Sequence, residues 1–463
     1  MQKKIAFVGA GSIVFTRNLL SDIYLYPELK NSTISLMDVD RQRLEMARLV
    51  AEELKAERGS SSEIEAHLEL ERALEGADYV INVVQIGGKQ STYIDFDIPE
   101  KYGLKQTIAD THGLCAVMRF LRTVPHLEKL CGRMQELCPE AFLLNFTNPM
   151  SMCQWYIQSI SDLRTIGLCH SVPGTIEELS RYVGVSAEEV DFLVAGINHM
   201  AWVLRFEHGG EDLYPRLRQA MEDPDIWKLD SVRFEILRHF SFFVTESSEH
   251  MAEYVPYFIK DEETIRRLNI PIREYISRVE LNERAFEAEK AYYLEGKKEM
   301  KGEAGRMTRE YFRAQGKPGF EEAYESEPTE QSREYAVQII HALESAEATL
   351  VYGIGANHGI ISNLPSDCMV DSPHHVDGSG LHPLVVGELP NQLAALILPQ
   401  INMQRLAVQA ALSREAKYIH YASLVDPLAT SILGMNEIRK LTEELMEAHR
   451  SYMPEFHRAQ EGS

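Results

Sequence analysis

Cysteine is scarce: six in 463 residues, with no CxxC pair. That excludes a small disulfide scaffold and argues against a thiolate zinc knuckle. Basic charge is also in short supply. Lys and Arg number 47 against 70 Asp and Glu, a net charge of −23 with His neutral. Nucleic-acid binders cluster Lys and Arg against phosphate, so this balance argues against DNA, RNA and anionic membrane surfaces as partners. No apolar run approaches the roughly 20 residues of a membrane helix. The opening MQKKIAFVGAGS lacks the apolar stretch and cleavage site of a signal peptide. The expectation is a cytoplasmic protein with reduced cysteines. What is present is ordinary for a globular chain: 44% apolar and 25% charged residues, enough for a large core.

The first half alternates short apolar runs with helical periodicity. Strands are expected over residues 4–9 (KIAFVG), 33–37 (TISLM), 79–84 (YVINVV), 141–145 (AFLLN) and 165–168 (TIGL). Helices are expected over 13–24, 40–57 and 123–137. Apolar runs of four to six residues between helices fit strands buried on both faces. Repeated β–α units predict an α/β fold with a Rossmann-type, doubly wound parallel sheet over residues 1–195. From about Gly196 onward helical periodicity dominates, as in 331–347 and 389–412, while 360–380 reads as loop-rich. Residues 196–463 are therefore expected to form a mainly helical α+β second domain.

Gly9-Ala10-Gly11-Ser12 follows the first strand directly. The first glycine permits a tight turn and the second lets the backbone approach a pyrophosphate. The next helix then offers its N-terminal N–H groups to that anion. Asp38 ends the second strand, where an acid accepts hydrogen bonds from ribose hydroxyls and repels a 2′-phosphate. NAD is thus favoured over NADP. The third glycine of the full fingerprint is missing, its place taken by Val14.

Two further pairs stand at strand ends, where open α/β sheets place their ligands: Cys169-His170 and Asn198-His199. A thiolate and an imidazole could share one divalent ion and leave positions open for substrate. Read singly, a Cys at a strand end is more often a small buried hydrophobe, and a His after Asn a hydrogen-bonded turn.

Several segments together resemble glycoside hydrolase family 4, whose glycosidases depend on NAD and a divalent metal. They are FVGAGS near the N-terminus, KYGLKQTIADT (101–111), NFTNPM (145–150), LCHSV (168–172), GINHM (196–200), NHGIISNLPSD (357–367) and DPL (426–428). The resemblance implies a lactate/malate dehydrogenase-like fold. It implies that Gly9, Gly11 and Ser12 line the NAD pyrophosphate and Asp38 the adenosine ribose. It implies Cys169 and His199 as ligands of a metal, usually manganese, with Asn148 at the sugar hydroxyls or the metal site and His170 near the sugar. Asp110 is implied as a candidate acid, although an Asp there also suits a helix N-cap. Glu249, His250, Glu253 and Tyr254 in TESSEHMAEYVPY (245–257) are candidates for the base, a Tyr serving if its pKa is lowered. The bland reading of that stretch is a solvated acidic helix end.

The implied chemistry dispenses with the usual carboxylate pair. NAD takes a hydride from C3 of the sugar, the ketone acidifies C2–H, and the metal stabilises the enediolate. The C1 leaving group departs by elimination, water adds, and the hydride returns. Cys169-His170-Ser171-Val172 looks like the α-galactosidase subgroup. Uronic-acid α-glycosidases and α-glucosidases remain close alternatives. A carboxylate sugar would want an Arg partner, such as Arg119 or Arg284. One departure stands out: His112-Gly113-Leu114-Cys115-Ala116 replaces a family run rich in Gly and Pro. Side chains there would narrow the leaving-group side, and Cys115 in an exposed loop would be redox-sensitive. A 2-hydroxy-acid dehydrogenase and a catalytically silent NAD-binding regulator are the competing classes. A homodimer or homotetramer is the expected assembly.

Overall fold

A computed structural model describes residues 2–315, 332, 334–345 and 347–457. The first strand, β1 (Lys4–Val8), pairs in parallel with β2 (Thr33–Met37) and β4 (Tyr79–Asn82). Beyond β2 lies β3 (Glu63–His67), and beyond β4 lie β5 (Phe142–Asn145) and β6 (Arg164–Gly167), all parallel. The order 3-2-1-4-5-6 is the Rossmann arrangement. Tyr79–Asn82 and Phe142–Asn145 are buried at every position. Helices cover both faces of such strands, so apolar residues are needed on both.

The helices follow from their sequences. Asp40 caps the helix Arg41–Glu57 by accepting the N–H groups of Gln42 and Arg43. Leu44, Ala47, Ala51 and Leu54 form its buried stripe. The helix expected over 123–137 begins nine residues earlier and runs Leu114–Leu137. The segment His112–Ala116 is therefore the entry to a buried helix and not an open loop. The helix expected over 331–347 is Tyr335–Glu344, and positions 331, 333 and 346 lie outside the described residues.

The sheet does not stop at residue 195. β7 (Val190–Ile197) and β8 (Met200–His208) form an antiparallel hairpin joined by Asn198-His199. Two later strands, β11 (Thr349–Ala356) and β12 (Met369–Asp377), insert between β6 and β7. The stretch read as loop-rich thus contains a nine-residue strand. Short strands complete the sheet at its edges: β9 (Glu211–Asp212) and β10 (Phe243–Val244) against β8, and β13 (Gly380–Pro383) against β12. Fully buried Trp202 and Phe206 anchor the hairpin, each contributing about 1.5–3 kcal/mol through burial. This packing sets the 198–199 turn beside the end of β6.

Candidate active site

The loop after β1 turns at Gly9, whose φ is 90°. A Cβ there would lie 2.1 Å from the Val83 carbonyl oxygen, so only glycine fits. The N–H groups of Gly9 and Ala10 both donate to the Met37 carbonyl at 2.9 Å. At Gly11 a Cβ would meet Asp38 Oδ2 at 2.5 Å. Instead, Asp38 Oδ2 accepts the Gly11 N–H at 2.8 Å and Oδ1 accepts that of Asp40 at 2.9 Å. The carboxylate at the end of β2 is thus pinned to the glycine loop. Ser12 is exposed and precedes the helix Ile13–Ile23 with no side-chain cap, leaving its first-turn N–H groups open to an anion. A dinucleotide fits this cradle.

Across the sheet, Cys169 follows β6 and His199 sits in the β7–β8 turn at φ 63°. Cys169 Sγ lies 3.3 Å from His199 Nε2. Burial pushes the Cys169 thiol up to about 11, a cost that a divalent cation removes by taking the thiolate as ligand. Glu246 Oε2 stands 3.6 Å from the same His199 nitrogen. One donor atom from each of Cys169, His199 and Glu246 falls within 4.8 Å of the others, so the trio fits a metal ion. Despite burial, His199, His170 and Arg233 hold the Glu246 carboxyl below the usual range. Glu246 escaped the sequence reading, although it lies in the TESSEH stretch. Helical spacing drew attention to 249–254, whereas Glu246 precedes the helix.

The other ring nitrogen of His199, Nδ1, lies 3.1 Å from Tyr254 Oη. Tyr254 ends the helix Ser248–Tyr254, in which Glu249, His250, Glu253 and Tyr254 are all buried. The solvated helix end does not form, because this helix packs beneath the site. Nor is Tyr254 lowered by its protein neighbours: burial, with Asp110 and Glu253 adding negative charge, pushes its phenol well above the ordinary value. His250 bonds Ser247 Oγ through Nδ1 at 2.8 Å, its Nε2 is 3.9 Å from Asp110 Oδ1, and its ring meets that of His199 edge-on. The Glu249 backbone carbonyl accepts the Thr107 hydroxyl at 2.6 Å, and its carboxylate faces Arg278. Glu253 accepts three backbone N–H groups, from Thr107, Ile108 and Ala109. Those bonds shape the loop that carries Asp110. Asp110 is buried, accepts the Thr111 hydroxyl at 2.8 Å and lies 4.0 Å from Arg119 Nη1. It precedes the helix Leu114–Leu137 by four residues, and Gly113 occupies the N-cap position. Asp110 is therefore not that cap.

The replaced loop has a definite job. His112 Nε2–H donates to the Asn198 carbonyl at 2.9 Å, and its Nδ1 accepts from Gln404. Burial pushes His112 down to about 3, so the ring stays neutral. It braces the turn bearing His199 and meets Tyr254 edge-on. Asp426 of the DPL segment accepts the Leu114 N–H at 2.7 Å, and Asn357 of NHGIISNLPSD ties its own loop through Ile361, Leu364 and Pro365. Both segments are structural. Cys115 is fully buried and its thiol is pushed well up, so it lacks the exposure and thiolate character of a redox-sensitive cysteine.

Asn148 precedes a cis peptide bond to Pro149, and its Oδ1 is buried with no hydrogen-bond partner. His170 projects outward with its side chain 55% exposed, 3.8 Å from Glu334. Of the two candidate arginines, Arg119 lies beside Asp110, whereas Arg284 is exposed next to Glu287 and Met300.

Known proteins resemble this chain over nearly its whole length. An alpha-galactosidase of Bacillus subtilis (strain 168) is 38% identical over 98% of this chain and 100% of its own length. An alpha-galacturonidase of Thermoanaerobacterium saccharolyticum is 28% identical over 97% of this chain and 96% of its own. Among solved structures, a 6-phospho-beta glucosidase from Thermotoga maritima with manganese, NAD+ and glucose-6-phosphate shares the fold. Its TM-score is 0.77 at 20% identity, over 98% of this chain and 100% of that one. Residues 4–185 match the Family 4 glycosyl hydrolase description and residues 194–429 its C-terminal domain. With both parts matched in order, the chain belongs to family 4 of the glycosyl hydrolases.

Proposed function

We propose that the protein hydrolyses α-galactosides with NAD and a divalent cation, manganese in the first instance. The observation that carries this reading is the line Cys169 Sγ, His199 Nε2, His199 Nδ1, Tyr254 Oη, with gaps of 3.3 and 3.1 Å. The sugar follows from the likeness to the Bacillus subtilis alpha-galactosidase. Gly9, Gly11, Ser12 and Asp38 would hold NAD, and Cys169 and His199 the metal. When bound, NAD takes up and returns a hydride at C3 of the sugar, and the cation stabilises negative charge developing on the sugar oxygens.

The chain's own residues do the rest. With His199 Nε2 turned to Cys169, Nδ1 carries the proton and donates to Tyr254 Oη. We assign Tyr254 as the base that takes the C2 proton: burial raises its phenol, and a cation bound at the adjacent His199 would favour the phenolate. Glu253 is committed to the loop backbone and His250 to Ser247, while Glu249 faces Arg278. Asp110 is assigned as the acid that protonates the departing oxygen. Asn148, with its open Oδ1, and His170 at the rim are placed on the sugar. His112 keeps the His199 turn in place and adds no charge.

Residues 1–195 are read as the nucleotide-binding part and 196–463 as the part completing the substrate and metal site, with a homodimer or homotetramer as the assembly. Free cysteines at all six positions support a reducing, cytoplasmic setting. Among the described residues no helix is long and apolar enough to cross a membrane.

A second reading is hydrolysis of α-galacturonides. Arg119 favours it: the guanidinium is buried beside Asp110 and its Nε has no hydrogen-bond partner. The test is release of p-nitrophenol from the α-galactoside, α-galacturonide, α-glucoside and α-glucuronide, with NAD, Mn²⁺ and reductant, and with each omitted. Galactoside cleavage requiring all three is expected. Preference for the galacturonide moves the sugar assignment to the second reading. Hydrolysis that survives complete removal of NAD and metal would sink the mechanism.

A further inference from the structure

Glu246, whose side chain is 12% exposed at the edge of the site, is an acid to which the proposed reaction gives no task. It follows β10 and adopts φ 91°, a left-handed conformation that glutamate rarely takes. Arg233, itself buried, holds it there. Arg233 Nη1 donates to the Glu246 carbonyl at 2.7 Å, while Nε bonds Asp230 at 2.6 Å and Nη2 bonds Glu178 at 2.6 Å. The clamp aims the carboxylate inward, and Oε2 is buried without a hydrogen-bond partner. Unpartnered buried polar atoms are uncommon and call for an explanation.

We propose that Glu246 is a third protein donor to the divalent cation held by Cys169 and His199. The inference rests on the reading of those two residues as metal ligands. Metal–ligand bonds of about 2.0–2.3 Å place neighbouring donors about 3–3.6 Å apart around one ion. Cys169 Sγ to His199 Nε2 is 3.3 Å, and His199 Nε2 to Glu246 Oε2 is 3.6 Å. Charge points the same way. Thiolate and carboxylate together cancel a divalent charge, so the occupied site is neutral, and a neutral buried site avoids the cost of an uncompensated ion. With Cys169 and His199 alone, one positive charge remains. A sulfur–nitrogen–oxygen set suits borderline ions such as Mn²⁺, Co²⁺ and Zn²⁺. A carboxylate engaged in this way anchors the ion and is not available to move the substrate's proton.

The test uses the full-length protein stripped of metal. Co²⁺ is titrated while the sulfur-to-cobalt absorption band and the d–d bands are followed. Mn²⁺ binding is measured from the paramagnetic resonance signal of the free ion. NAD binding by each variant reports an intact fold. Glu246→Gln is expected to keep the sulfur band, alter the d–d bands and bind both ions about 10–100-fold more weakly. Glu246→Asp, which keeps the charge with shorter reach, is expected to fall between and serves if the amide variant fails to fold. Cys169→Ser is expected to lose the sulfur band. A Glu246→Gln protein with wild-type affinity and wild-type d–d bands overturns the proposal and leaves the Cys169–His199 site standing. Wild-type protein that binds neither ion, or a sulfur band that survives Cys169→Ser, overturns both.

Discussion

Glu253 is the point at which the fold grips the loop bearing Asp110, and its removal has a calculable cost. Its Oε2 accepts the N–H groups of Thr107 at 2.9 Å and Ile108 at 3.1 Å, and its Oε1 accepts that of Ala109 at 2.8 Å. The side chain is 2% exposed, so water does not substitute. Glu253→Gln keeps the volume but replaces one oxygen by an NH₂ that cannot accept. The better orientation leaves the oxygen on Thr107 and Ile108 and sets the amide nitrogen against the Ala109 N–H. One buried donor is then orphaned, at about 1–3 kcal/mol. Glu253→Ala orphans all three, about 3–9 kcal/mol by the same count. That is comparable with the whole stability of a typical protein, about 5–15 kcal/mol. The amide is therefore the informative variant. At about 2.1 cal/mol/K per residue, the unfolding entropy of a chain this long is about 1 kcal/mol/K, so the melting midpoint should fall by about 1–3 °C. Turnover should fall further. Ala109 already sits at φ 60° and has little room to readjust. A shift of about 1 Å at a catalytic group costs about 100-fold. Thermal melting and p-nitrophenyl glycoside hydrolysis should show that small drop in midpoint with kcat reduced about 10–100-fold and KM changed less. A Glu253→Gln enzyme with wild-type midpoint and wild-type kcat refutes the clamp.

Two further outcomes follow from the same reasoning. Asp22 is buried, and burial pushes its carboxyl up to about 6 while two hydrogen bonds from Ser332 pull the other way. The folded state holds this proton where the unfolded chain has lost it, so stability should fall as pH rises from about 4 to about 6 and then level off. Asp22→Asn should remove that part of the slope in melting midpoint against pH, and an unchanged slope would contradict the assignment. Gly11→Ala places a methyl 2.5 Å from Asp38 Oδ2 and 2.6 Å from Arg43 Cβ. Overpacking of about 1–3 kcal/mol should weaken NAD binding by about 5–150-fold, read by cofactor titration; unaltered affinity would place the dinucleotide elsewhere.

How much of this was legible in the chain depends on the range of the forces involved. Asp40 as the cap of Arg41–Glu57, the buried strands β4 and β5 and the turn at Gly9 are set by neighbours within a few residues. Periodicity and glycine chemistry reveal such features directly. The family motifs marked Cys169 and His199, yet spacing alone left each with a bland alternative. β12 was hidden because Pro373 and polar residues interrupt its apolar pattern, and its partners β11 and β7 supply the reason it is a strand. The segment 112–116 read as an open loop because nothing local showed that Asp426, more than 300 residues on, receives the Leu114 N–H.

The sequence by itself determined the Rossmann half, the preference for a dinucleotide at Gly9–Gly11 with an acid at Asp38, and the identity of the family. Local patterning and ordered motifs carry that information. The tertiary structure decided which side chains meet. Docking of the β7–β8 hairpin beside β6, through β11 and β12, brings His199 to Cys169. The Arg233 clamp turns Glu246 toward the same point, and packing of the helix Ser248–Tyr254 separates Tyr254, which faces His199, from Glu253, which faces the backbone. Side-chain aim depends on contacts between segments far apart in the chain, and no local pattern encodes it.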